Sequence, residues 1–266
     1  METKDQLEEI SRLIRRDIIE LCSRTGSGHV GPSLSVVEIL VVLYQNIIKG
    51  TPPDPDRDRV ILSKGHACPA LYAVLAYKGW ITAERLKSFA INGSLLGHHP
   101  HWEPEIGLEA NTGSLGHGLS IGCGLALAAK KMCSLSRTFV ILSDGETNEG
   151  SVWEAAGFAA HHHLNNLCMI LDANGIQAMG YTKDILNPIN HAAKWKAFGW
   201  ETIEIDGHNV LELNNSLSKI GLTRKPLAII AHTVKGKGIS FMENNILWHY
   251  RCPKGKEYEL AMKELT

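Results

Sequence analysis

Two acidic clusters carry the clearest chemical signal in this sequence. Asp144-Gly145-Glu146 and Asp172-Ala173-Asn174-Gly175 each close an apolar run, and Asn174 follows Asp144 by thirty residues. That spacing suits one strand–helix–strand unit, which can bring both side chains to one edge of a sheet. A carboxylate, an amide oxygen and a nearby backbone carbonyl make a hard oxygen site, better suited to Mg²⁺ or Ca²⁺ than to zinc. The same residue types also cap helices and make turns. Spacing alone leaves both readings open.

A second signal is GSLGHG at 113–118, followed by a run of small residues. Its glycines let a backbone approach a ligand closely, and a helix N-terminus can receive an anion. The dinucleotide pattern GxGxxG is not matched, and a tight turn with close helix packing explains the segment equally well.

The third signal is histidine, present thirteen times. His29, His66, His98, His99, His101 and His249 lie in glycine- or aromatic-flanked segments. Histidine carries protons near neutral pH, and four separate loops each offer one. His161, His162 and His163 instead follow one another on an expected helix. They point about 100° apart and cannot jointly hold one ion, so they read as packing or solvent-facing.

These groups need a frame. Residues 4–22 place Leu7, Ile10, Leu13, Ile14, Ile18 and Leu21 near a 3.6 period, which predicts an amphipathic helix. Residues 25–31 read as irregular. Ser33 or Ser35 can cap a second helix running to about Ile48, and a further helix starts near His66. A small-residue helix spans Ile121 to Met132, and residues 150–163 suit another. RVILS (59–63), TFVILSDG (138–145), LCMILDANG (167–175), ETIEIDGHN (201–209) and PLAIIAHTVKG (226–236) read as strands. Buried strands alternating with helices predict an α/β fold: a mostly parallel central sheet with helices on both faces. Ligands of such sheets bind beyond the C-terminal strand ends, where these polar clusters fall.

The 266 residues suit one large α/β domain. Apolar residues make up 44% and charged residues 21%, which excludes a disordered chain. The net charge of −1 offers no basic excess for nucleic acid or an anionic membrane. No apolar run approaches the roughly 20 residues of a membrane span, and the charged N-terminus lacks a signal-peptide core. Six scattered cysteines without a CxxC pair imply free thiols in a reducing compartment, hence a cytoplasmic protein.

Seven segments together point to a family. SGHVGPSLSVVEIL, DRDRVILSKGHACPALYAVLA, NTGSLGHGLSIGCGLALA, SDGETNEGSVWEAA, LDANGIQ, FGWETIEIDGHN and KPLAIIAHTVKGKGISFMENNILWH resemble transketolase, in the family's order and across about residues 10–250. The resemblance is to the thiamine-diphosphate-binding (PP) domain. It implies that residues 1–266 form that domain alone, as the N-terminal subunit of a split transketolase. The pyrimidine-binding and C-terminal domains are then expected on a partner chain.

The resemblance also implies roles. Asp144, Asn174 and the carbonyl of Ile176 match the family's metal ligands, which join Mg²⁺ (or Ca²⁺ or Mn²⁺) to the diphosphate of thiamine diphosphate. Gly145, Gly113 and Leu115 match residues lining the cofactor, and His66 matches a histidine near the diphosphate and the substrate. His29, His99 and His249 match histidines that contact substrate and help to move protons; His99 rather than His98 follows by counting back from Glu109. Glu149 matches a glutamate linking paired active sites across an interface. Lys235, in TVKGKG, matches a basic residue beside the cofactor.

The implied reaction is transfer of a two-carbon ketol unit from a ketose or ketose phosphate to an aldose or related acceptor. The cofactor would lie between this chain and a subunit carrying the pyrimidine-binding domain, in an assembly with two copies of each chain. Activity then requires that partner, whose glutamate the family uses to activate the cofactor. Other readings are the α subunit of a 2-oxoacid dehydrogenase and a non-catalytic scaffold subunit of the same fold; SGH, SKGH and the terminal WH favour transketolase. Three departures from the family stand out: His117 in place of Gln, Ala178-Met179 in place of Ile-Asp, and WHYRCP in place of a WHGK-like continuation. The last concerns the substrate rim.

Overall fold

The apolar runs that end in polar groups are the strands of one sheet. A computed structural model describes residues 1–186 and 190–266. From the N-terminus run helices α1 (Lys4–Thr25), α2 (Val30–Ser35) and α3 (Val37–Val42), strand β1 (Arg59–Leu62), and helices α4 (Cys68–Tyr77), α5 (Ala83–Lys87) and α6 (Gly118–Lys131). Then follow β2 (Thr138–Ser143), α7 (Gly150–His161), β3 (Leu167–Ala173), α8 (Thr182–Ile185), α9 (His191–Ala197), β4 (Glu201–Asp206), α10 (Val210–Leu217), β5 (Leu227–His232) and α11 (Lys256–Glu264).

All pairings are parallel, in the order β1-β2-β3-β5-β4. Alternate residues of each central strand enter separate cores. Phe139 and Ile141 face the core built on α1, α3, α4 and α10, whereas Val140 and Leu142 face the core built on α6, α7 and α9. The expected α/β sheet, covered on both faces, is therefore present. Chain order runs outward from β1 through β3, jumps to the edge strand β4 and returns with β5 beside β3. The C-terminal ends of β2, β3 and β5 thus sit side by side, and Ser143 is in register with Asp172.

Helix α1 forms, and Leu7, Ile10, Ile14, Ile18 and Leu21 of the predicted apolar face are buried, whereas Leu13 is only half-buried. Thr3 and Gln6 make a reciprocal capping box at its start, and Gly26 ends it in a left-handed conformation. The second helix departs from expectation. It begins at Val30, with His29 as N-cap at φ 66°, and Ser33 and Ser35 lie inside it. Neither serine caps, because both hydroxyls are engaged elsewhere. Ser33 Oγ donates to the His29 carbonyl at 2.7 Å, and Ser35 Oγ donates to Asp172 Oδ2 at 2.7 Å. The helical path breaks at Val36 and ends in a wide turn over Leu43–Ile47. Helix α6 starts at Gly118, three residues before its expected start. His161, His162 and His163 close α7 in exposed positions.

Candidate active site

The strand ends open into a cleft of about 450 Å³. His29, His66, His99, Gly113, Leu115, Asp144, Gly145, Glu149, Asn174, Ile176, Lys235 and His249 all line it, so residues from stretches far apart in sequence converge. His98 points elsewhere: its ring packs 5.8 Å from Phe89, while that of His99 lies 6.3 Å from His29. Gly113 makes room for this, since a Cβ there, at φ 134°, would meet the His99 ring at 2.7 Å.

Asp144 is buried just beyond β2. Its Oδ1 accepts from the Gly145 amide at 2.8 Å, and its Oδ2 accepts from the Gly175 amide at 2.7 Å and from Thr182 Oγ1 at 2.9 Å. The β2 and β3 ends are thereby tied together, as the thirty-residue spacing anticipates. Burial, and then the neighbouring Asp172, push the Asp144 carboxyl above its usual range despite these three hydrogen bonds. Asn174 donates to Asp172 Oδ2 at 2.9 Å and accepts from the Ile176 amide at 3.1 Å.

Asp172 is fully buried and accepts from Lys64, Ser35, Asn174 and Thr233. Burial opposes its ionisation, but the Lys64 ammonium and these hydrogen bonds prevail and hold it below the usual carboxylate range. Lys235, also fully buried, donates to the Ile176 carbonyl at 3.1 Å and to His249 Nδ1 at 2.8 Å. Burial, together with the Lys64 charge, brings it down to about 8.

Three imidazoles form a triangle above these charges. Ring centroids are 5.3 Å apart for His29–His66, 5.3 Å for His29–His249 and 5.5 Å for His66–His249. Burial, then the neighbouring histidines and lysines, lower His29 to about 4 and His66 well below its ordinary value. Burial and then Lys235 lower His249 to about 3. His99 is also lowered, mainly by burial. These shifts favour the neutral ring, with one donor and one acceptor nitrogen, for all four at pH 7. Glu149 stands exposed at the rim as the N-cap residue of α7.

Several residues that shape the cleft were given no role by the sequence reading. Lys64 adjoins His66 in SKGH, and Asp172 precedes Asn174 in LDANG. Glu146 is fully buried and accepts from Ser63, from the Gly116 amide at 2.8 Å and from the Ser143 amide at 3.3 Å. It thereby pins the GSLGHG loop to the ends of β1 and β2. Gln177 also lines the cleft, with its Nε2 buried and without a hydrogen-bond partner among the described residues. For Lys64 and Gln177 the only signal available was their place inside the seven segments, whereas Glu146 and Asp172 stood in the acidic clusters without an assigned role.

Among the described residues, no group of three or more His, Cys, Asp or Glu side chains is arranged as a metal site. The oxygen set of Asp144, Asn174 and Ile176 remains the candidate. It fits a divalent cation bound with an anionic group: Asp144 is a buried carboxylate with no salt-bridge partner among the described residues, and the Gln177 Nε2 donor is unused. Lys64 and Lys235 add positive charge to the cleft floor.

Comparison with known proteins agrees. Residues 4–263 match the family described as transketolase, thiamine diphosphate binding domain. An apulose-4-phosphate transketolase subunit from Actinobacillus succinogenes is 44% identical over 265 residues, which cover 98% of this chain and 96% of that protein. The 6-deoxy-6-sulfo-D-fructose transketolase subunit SqwG of a Clostridium species is 39% identical, covering 99% and 98%. The solved transketolase of Campylobacter jejuni superposes with a TM-score of 0.87 at 30% identity, covering all of this chain and 43% of that one. The chain thus spans under half the length of that transketolase but nearly all of the two subunits. These matches agree with the transketolase reading of the motifs: the chain belongs to the transketolase family, and it carries that family's thiamine diphosphate binding domain.

Proposed function

We propose that this chain is the cofactor-binding subunit of a two-chain transketolase, with residues 1–266 forming one domain. The enzyme would move a two-carbon ketol unit from a ketose or ketose phosphate to an aldose or related acceptor. The observation that carries this reading is the meeting of Asp144, Asn174 and the Ile176 carbonyl with the neutral His29, His66 and His249 in one cleft. The names of the two similar subunits bring phosphorylated and sulfonated sugars among the substrate classes to be tried.

Asp144, Asn174 and Ile176 would hold Mg²⁺, with Ca²⁺ or Mn²⁺ as substitutes. Gly113, Leu115, Gly145 and Lys235 would line the cofactor, with His66 near its diphosphate. Thiamine diphosphate, when bound, supplies the electron sink for cleaving the carbon–carbon bond. The chain's own contribution is orientation and proton handling. The Lys235 ammonium can only donate, so His249 Nδ1 must accept and Nε2 carries the ring hydrogen. His249 therefore offers a donor to a substrate oxygen, while His29, His66 and His99 can each give or take one hydrogen bond. Neutral rings suit both directions of proton transfer, which contributes on the order of 10²–10⁴ in rate.

The pyrimidine end of the cofactor would fall to a partner chain. Exposed Ile121 on α6, Phe158 on α7, and Met179 and Tyr181 after the metal loop support a covered face on these elements. Glu149, exposed at the rim, is the candidate for contact with a second active site, in an assembly with two copies of each chain. No helix among the described residues is long and apolar enough to cross a membrane, and the cytoplasm is the compartment proposed for the enzyme. The test is a ketol-transfer assay on the purified chains, apart and mixed, with thiamine diphosphate and Mg²⁺. Activity on mixing only supports the proposal; full activity from this chain alone, or none in the mixture, contradicts it.

A further inference from the structure

Beyond the histidine triangle, the cleft wall continues into an aromatic side chain that the proposed chemistry leaves unused. Tyr250 lines the cleft, 66% exposed, with its ring 4.8 Å from that of His249 and 6.4 Å from that of His29. Its backbone is fixed. The His29 amide donates to the His249 carbonyl at 2.8 Å, and a Cβ on Gly28 would meet the Tyr250 carbonyl at 2.9 Å, so only glycine admits this approach. On the other side, Arg251 is drawn off: its Nη2 donates to both carboxylate oxygens of Glu257, at 2.6 and 2.7 Å, and its guanidinium lies 5.0 Å over the Trp248 ring. The ring of Tyr250 therefore stands at the mouth beside the His249 and His29 rings, while the adjacent Arg251 is engaged with Glu257 and Trp248. The cations that line the cleft, Lys64 and Lys235, are fully buried at its floor.

We infer that Tyr250 is a specificity-determining residue that packs its ring against the carbon chain of the ketose donor, beyond the two-carbon unit held among His29, His66 and His249. This rests on the ketol-transfer reading above. A flat ring offers apolar area at low entropic cost, and the C–H face of a hydroxylated chain is the apolar surface such a donor presents. A donor without that chain gains nothing from the ring. Hydroxypyruvate is such a donor: it carries the ketol unit attached only to a carboxylate.

The test compares kcat/KM for a five- or six-carbon ketose phosphate with kcat/KM for hydroxypyruvate, using the wild-type, Tyr250→Ala and Tyr250→Phe chains, each mixed with the partner chain. The ketose-to-hydroxypyruvate ratio should fall roughly tenfold in Tyr250→Ala, equivalent to about 1.4 kcal/mol of discrimination. It should stay within about threefold of wild type in Tyr250→Phe, which keeps the ring. An unchanged ratio in Tyr250→Ala, or an equal loss in Tyr250→Phe, overturns the inference while leaving the ketol-transfer reading standing. A wild-type mixture inactive with both donors overturns that reading, and this inference with it.

Discussion

Lys235 Nζ lies 2.8 Å from His249 Nδ1, and both groups are buried. The pair couples a cation to a ring that must stay neutral beside it. Removing the ammonium removes the repulsion, although burial, the larger cause of the shift, stays. In Lys235→Met the His249 pKa should therefore rise from about 3 toward its ordinary 6.5. Histidine ring resonances followed through a pH titration measure this directly; a His249 pKa unmoved in the variant would contradict the coupling.

His29 gives a pH signature of its own. Its folded pKa is depressed to about 4 against 6.5 when unfolded. Between those values the unfolded chain binds the extra proton, so the stability owed to neutral His29 is present above pH 6.5 and is lost as pH falls toward 4. Asp17 and Glu109, raised to about 6 and about 7, act in the opposite sense over part of this window, so a difference measurement is needed. Asparagine tolerates the left-handed backbone at this position. The unfolding free energy of His29→Asn, from urea titrations, should fall less between pH 7 and pH 5 than that of the wild type. An equal fall in both proteins would contradict the assignment.

Lys64 and Asp172 form a fully buried ion pair. In Lys64→Met the Asp172 carboxylate keeps hydrogen bonds to Ser35, Asn174 and Thr233 but loses its cation. Breaking one side of such a pair costs about 3–5 kcal/mol. The double variant Lys64→Met/Asp172→Asn should recover part of that loss. Denaturant unfolding of the four proteins in this cycle gives both numbers; a cost below about 1 kcal/mol in the single variant would show that the pair does not brace the strand ends.

The sheet was legible because each strand is an apolar run that stops at a polar cluster, and Asp144 and Asn174 were legible because one such unit separates them. The histidines stood out by their flanking glycines. What stayed hidden depends on contacts distant in sequence. Nothing near Lys64 announces Asp172, more than a hundred residues away, and nothing near Glu146 announces Ser63 or the Gly116 amide. The start of α2 was misplaced for a related reason: Ser35 looks like a helix cap, but its hydroxyl goes to Asp172. Tyr250 could be recognised as a departure from the family, while its position beside the His249 ring is set by the fold of the 246–250 turn against Gly28.

The central claim is that Asp144 and Asn174 hold the cofactor through a divalent cation. Calorimetric titration of thiamine diphosphate into the two-chain complex tests it, with Mg²⁺ and with the metal removed by a chelator, for wild type and Asp144→Asn. Wild type should bind tightly only with Mg²⁺. Asp144→Asn should lose on the order of a hundredfold in affinity, or about 2.7 kcal/mol; its thermal unfolding is followed alongside, because its amide nitrogen cannot accept from the Gly145 or Gly175 amide as the carboxylate does. Metal-independent binding by the wild type, or undiminished affinity in Asp144→Asn, would contradict the account.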